Sequence, residues 1–305
     1  MDTTIINNAQ EHEIIKSGQF DRHNTVHLVV PNNIKVIAQS AFAGFPNLES
    51  VTFESGSTIE IIEAGAFGSC PRLKSVKLPN TLKKIGDRAF ANCEMLGHII
   101  FEKRNQLKYI GANAFYCVGK DTNCKRKPSS IILSNEFTSL GEGAFYQCKV
   151  FNTIDFSQVT VLRKIPKDAF HYSSVYKVLM PTSGCISAIG KSAFAWSSLS
   201  QVVIPASGIT TIEESAFNST WIKEFDFRGV RNIGGNAFTV ITGTGIKKAT
   251  LPTDCQYSSS SFPSGCQIFK EDLPLLEPYD SSSSDTNSAE SIGDKLKGLF
   301  GRFKK

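Results

Sequence analysis

Ile85-Gly-Asp-Arg-Ala-Phe-Ala-Asn-Cys93 holds an apolar residue, three spacers and then Ala-Phe, and this core occurs nine times in the 305-residue chain. Its phenylalanines are Phe42, Phe67, Phe90, Phe115, Phe145, Phe170, Phe194, Phe217 and Phe238. The steps between them run from 21 to 30 residues. A recurring period of this length describes a solenoid of stacked coils, in which each repeat buries its apolar face against the next.

Each coil reads in two halves. Leu73-Lys-Ser-Val-Lys-Leu78 is a short alternating run ended by Pro79, and it returns as Leu48–Phe53, Leu96–Phe101, Phe151–Phe156, Val175–Met180, Leu199–Ile204, Ile222–Phe227 and Ile246–Leu251. Period two in so short a run predicts a β-strand with one buried face. In the second half, Ile85, Ala89, Phe90 and Cys93 fall at i, i+4, i+5 and i+8, the spacing of one face of a short helix or 3₁₀ turn. The residue after the isoleucine is often Gly (86, 111, 141, 190, 234), but Ala38, Glu63, Pro166 and Glu213 also stand there. Pro and Glu are poor choices at positive φ, so this position reads as the first residue of the helical turn.

These residues resemble the BspA-type leucine-rich repeat, whose coil runs as an LxxIxIP strand followed by IxxIGxxAFxxC. The match is close in Leu73–Cys93, Leu96–Cys117 and Leu199–Phe217, and extends from about Val26 to Cys266. The Asn or Cys that follows the strand in the common leucine-rich repeat is absent here. The resemblance implies an α/β repeat solenoid: a right-handed horseshoe with a parallel concave β-sheet and short helical or 3₁₀ turns on the other side. It also implies a binding surface of the kind found on adhesins and cell-surface proteins, without naming a ligand.

Composition agrees with one elongated body. The chain is 41% hydrophobic and 20% charged, and its formal charge of +5 is concentrated near the C-terminus. No broad basic stripe suggests nucleic acid. No phosphate loop, CxxC pair or convergent acid–base constellation is present, so no enzyme activity, cofactor or metal is expected. Cys70, Cys93 and Cys148 recur three residues after the repeat Phe and read as small buried groups. Cys117 and Cys124 flank an insertion and form a candidate disulfide under oxidising conditions. Cys124 is expected to be the thiol open to solvent.

Strand alternation predicts which side chains face outward on the concave sheet. One column holds Ile100, Ile132, Asp155, Leu179, Val203 and Asp226, and the next holds Lys177. The apolar pairs Ile100/Ile132 and Leu179/Val203 on a polar face predict a protein contact. The insertion carries Lys120, Lys125, Arg126 and Lys127, a basic loop suited to an acidic partner.

Residues 1–24 read as a degenerate capping coil ahead of a solenoid over 25–270, with Ser261-Phe262 in the last coil. Residues 271–287 read as an acidic, Ser-rich flexible linker. Residues 288–305 read as a basic amphipathic helix: Ile292, Leu296, Leu299, Phe300 and Phe303 make an apolar stripe, flanked by Lys295, Lys297, Arg302, Lys304 and Lys305. The expected function is protein recognition by a monomeric solenoid, with this tail attaching to an anionic membrane surface. A cytosolic scaffold whose terminal helix docks onto another protein is the alternative. Neither a classical signal peptide nor an apolar run of membrane-spanning length is apparent, which leaves cytoplasmic, peripheral-membrane and cell-surface locations open.

Overall fold

The computed structural model describes residues 3–5, 13–121, 123–124, 129–204, 208–241 and 245–273. Among them the coils build parallel ladders on two sides. Eleven two-residue strands, one per coil, form a six-stranded sheet from Ile14–Ile15 to Ser139–Leu140 and a five-stranded sheet from Lys164–Ile165 to Gln256–Tyr257. The longer strands that alternation predicts form the other side. Thr3–Ile5, His27–Val30, Ser50–Phe53, Ser75–Leu78 and His98–Phe101 make one sheet, and Ser129–Ile132, Phe151–Asp155, Lys177–Leu179 and Gln201–Val203 make the next. Lys248–Pro252 pairs with Gln267–Glu271 at the end. Every pairing is parallel and joins one coil to its neighbour, so the fold is a parallel β-solenoid of about eleven turns. Ile222–Phe227, an expected strand, lies outside both ladders.

The breaks in the ladders have local causes. The residue after the repeat isoleucine donates its N–H to the preceding coil, as in Gly86 to Ile62, Gly141 to Ile110, Gly190 to Ile165 and Glu213 to Ile189. Pro166 has no N–H to donate, and the short-strand ladder divides at that step, between Ser139–Leu140 and Lys164–Ile165. The long-strand ladder divides between His98–Phe101 and Ser129–Ile132, where the chain takes its insertion.

The second half of the coil differs from expectation. No helix occurs among the described residues; the repeat is built from tight turns. The residue two before the repeat Phe adopts left-handed φ in every coil, and the residue two after it does so in all but the Phe238 coil, as Arg88 (53°) and Asn92 (59°) do around Phe90. An α-helix cannot hold a left-handed residue every turn. The hydrogen bonds show what replaces it. Arg88, Phe90 and Asn92 donate to the carbonyls of Ala112, Ala114 and Tyr116 in the next coil, at 2.8–2.9 Å. The alternate N–H groups of Ala89, Ala91 and Cys93 turn back three residues, to Gly86, Arg88 and Phe90. The turns therefore form a third parallel ladder along the solenoid.

The glycines after the isoleucine have ordinary φ, as the Pro and Glu in that column require. Their role is close approach: a Cβ on Gly141 would stand 2.2 Å from the Ala112 nitrogen and 2.4 Å from the Gly111 carbonyl carbon. The repeat Ala is buried in all nine coils. Beside it the phenylalanine rings stack in one continuous column. From Phe42 to Phe238 successive centroids lie 5.0–5.5 Å apart, with interplanar angles of 16° or less. Phe20 extends the stack at one end and Phe262 at the other.

Cys70, Cys93 and Cys148 are buried, and the Cys70 and Cys93 thiols donate to the carbonyls of Phe42 and Phe67 at 3.1 Å. Burial pushes the Cys93 thiol well up and the Cys148 thiol to about 12. The expectation for Cys124 is corrected: it is only 7% exposed, with its sulfur directed at the Met95 carbonyl. Cys117 instead directs its thiol to Gln147 Oε1, so the two sulfurs point to different partners.

Candidate recognition surface

The long strands set the outward columns by pleat. Leu28, Val51, Val76, Ile99, Ile131, Ile154 and Val178 are buried, so the residues on either side of each face out. Ile132, Asp155, Leu179 and Val203 stand in register across four neighbouring strands, and Lys177 pairs with Thr153 and Gln201 in the adjacent column. Leu179, Val203, Asp155 and Lys177 are half-buried by their neighbours. Ile100 and Ile132 are 39% and 56% exposed, one on each side of the division in the ladder.

The charged groups of the columns are largely engaged. Asp155 accepts the Ser157 N–H at 2.8 Å, closing the turn after its strand. Asp226 lies outside the sheets. Its two oxygens accept from Arg228 Nε at 2.9 and 3.0 Å, an ion pair that holds the guanidinium above its ordinary value. Lys77 pairs with Glu102 at 2.6 Å, and His27 Nδ1 lies 2.8 Å from Ser50 Oγ.

Lys120 is exposed at the start of the inserted loop. That start is tied to the preceding coil, Gly119 donating to the Cys93 carbonyl and Asp121 to that of Glu94. Lys125, Arg126 and Lys127 lie outside the described residues. So do the tail positions Ile292, Lys295, Leu296, Lys297, Leu299, Phe300, Arg302, Phe303, Lys304 and Lys305, with most of the linker. Among the described residues no group of three or more His, Cys, Asp or Glu is placed to hold a metal ion. No helix among them is long and apolar enough to cross a membrane.

Sequence reading missed a second surface, on the turn side. Tyr116 stacks on Tyr146 at 5.4 Å, Tyr146 meets His171 edge-on at 5.0 Å, and Tyr172 stacks on Trp196 at 5.7 Å. Tyr172 and Trp196 are 38% and 39% exposed and sit in left-handed φ, where other coils place Gly44, Ser69, Asn92 and Ser219. Bulky residues seldom occupy that conformation. Reading the repeats in columns reveals the signal, since the position after the repeat Phe holds Tyr116, Tyr146 and His171 but Ala91 and Ala195 elsewhere. Beside Tyr116 is a shallow depression of about 330 Å³, lined by Arg88, Ala91, Asn92, Asn113 and Tyr116.

Solved structures with a similar course include the pneumococcal vaccine antigen PcpA, at 17% identity over 85% of this chain and 83% of that one, with a TM-score of 0.42. A leucine-rich repeat protein from Bacteroides ovatus matches at 18% identity over 85% and 87%, with a TM-score of 0.40. A leucine rich cell surface protein from Faecalibacterium prausnitzii matches at 17% over 81% and 79%, with a TM-score of 0.37. No curated protein matches the chain. Six copies of the BspA type leucine rich repeat region match residues 13–123 and 118–244, and with the stacked Ala-Phe coils this establishes that the chain belongs to the BspA-type leucine-rich repeat family.

Proposed function

We propose that the protein is a recognition solenoid whose long-strand face binds another protein, with Ile100 and Ile132 at the centre of the contact. The observation that carries this reading is the exposure of two isoleucines, 39% and 56%, on adjoining coils of a face whose charged groups are mostly engaged. Apolar groups exposed within a polar rim gain from being covered by a partner. Lys177 on the same face and Lys120 with the inserted basic residues would favour a partner with acidic side chains around an apolar anchor. The chemistry is contact, with no catalytic step.

A photo-crosslinking residue at position 132 in the full chain, expressed in the source cells, should yield a discrete protein adduct. Adding Ile100→Lys should remove that adduct without lowering the melting temperature, because Ile100 is already exposed. An adduct pattern unaltered by Ile100→Lys would defeat the reading.

The tail belongs to the same proposal. Its apolar stripe would enter the interface of an anionic membrane while the flanking cations meet headgroups, each worth roughly 1 kcal/mol near a charged surface. Flotation with anionic liposomes should recover the full chain but not a chain ending at Asp280, and salt should weaken recovery. Equal flotation of both would remove the tail from the proposal.

A further inference from the structure

We propose that the depression on the turn side is a binding site for a carboxylate-bearing sugar ring, the unit found in uronic- or sialic-acid glycans. It stands apart from the long-strand face and does not depend on the reading given above.

The site exists because a stack stops. Tyr116 follows the repeat Phe, and its ring lies against Tyr146 of the next coil, at 5.4 Å and 28°. The preceding coil places Ala91 in that column, so no ring from that coil's side stacks on Tyr116, which is half-buried. The depression lies on this side, since Arg88, Ala91 and Asn92 belong to the preceding coil and Asn113 and Tyr116 to the following one. Its lining combines the small, buried Ala91, the aromatic Tyr116 and the polar residues Arg88, Asn92 and Asn113. The C–H face of a pyranose packs on such a ring.

The rim chooses the substituents. Arg88 occupies the column two before the repeat Phe, where other coils have Ser40, Gly65, Asn113, Gly143, Asp168, Ser192, Ser215 and Asn236. Its φ of 53° is one that a long side chain rarely adopts, and no described carboxylate lies within ion-pair distance of it. Arginine there is a strained choice that the coil itself does not require. A permanently charged, planar guanidinium is suited to a carboxylate through two parallel hydrogen bonds. Asn92 adds an amide donor and acceptor that match ring hydroxyls, while Asn113 turns its Oδ1 towards Gly143 of the following coil. A flat hydrocarbon ring would instead strip water from these polar groups without replacing its hydrogen bonds.

Saturation-transfer NMR and calorimetry on the full chain, with a sialylated trisaccharide, a uronate oligosaccharide and lactose, test the site. Binding of the first marks a terminal acidic sugar as the source, and binding of the second an internal one. Lactose should bind at least about tenfold more weakly than the acidic ligand, the loss of one charge-assisted contact. Arg88→Gly and Tyr116→Ala should each weaken binding by a similar factor. Glycine accepts the left-handed φ freely, so Arg88→Gly should melt no lower than the parent, which separates lost binding from lost folding. Failure of both acidic sugars to bind, equal binding of lactose, retained affinity in Arg88→Gly, or binding of benzoate in place of any sugar would each overturn the proposal.

Discussion

The ring of Phe145 lies 5.1 Å from that of Phe170 and within 6° of parallel, one step in a stack that runs the length of the solenoid. Phe115 closes its other face at 5.2 Å, and Phe151 meets it edge-on at 5.4 Å. Phe145→Ala therefore leaves a void bounded by three rings. The expected cost is about 3–5 kcal/mol. Because coils touch only their neighbours, amide exchange should accelerate first in the coils around residues 115–170. A denaturation curve and exchange pattern equal to the parent's would refute the stack as the core of the fold.

Gly141 tests the close approach of the turns. A methyl group there would meet the backbone at Ala112 and Gly111, which cannot rotate away as a side chain would. Gly141→Ala should cost about 1–3 kcal/mol, as overpacking does. Gly56 has no atom within 4 Å of a built Cβ, so Gly56→Asn, with a residue that tolerates its φ of 74°, is the control and should fall within about 0.5 kcal/mol of the parent. Similar losses at both sites would mean that coil spacing is not what demands the glycine.

Thiol labelling separates the buried cysteines from the more accessible one. Under native conditions Cys93 and Cys148 should resist alkylation, Cys124 should react slowly, and Cys266, which is only half-buried, should react first. Peptide mapping of a time course reads this order. Early modification of Cys93 or Cys148 would contradict their place in the core.

Cys148 also predicts a pH dependence. Burial raises its thiol from 9.0 to about 12 in the folded chain, so the folded state holds this proton more tightly than the unfolded state does. The resulting stability is fully present below pH 9 and is lost between about pH 9 and 12. Across that window the stability advantage of the parent over Cys148→Ala should shrink by about 1.4 kcal/mol per pH unit. Parallel pH curves for the two would show that the thiol titrates as an exposed group.

Residue period alone determined the solenoid, the Phe and Ala columns and the long strands apart from Ile222–Phe227. These follow from which residues must leave water, and burial at a fixed spacing is visible in a single chain. Phe20 and Phe262, on the expected end coils, likewise take their places in the stack. Tertiary structure decided where the backbone hydrogen bonds go. The spacing of Ile85, Ala89, Phe90 and Cys93 suits a helical face, but the same side chains also share one side of a run of turns. The left-handed residues Arg88 and Asn92 direct alternate N–H groups to the next coil, and that choice exists only once a neighbouring coil is present to accept them. Pro166 divides one ladder for the same reason, since a missing donor matters only where a neighbour would have received it. Tyr116 beside Ala91 belongs with these. Neither residue alone marks the depression, which arises because stacking sets residues of successive coils side by side.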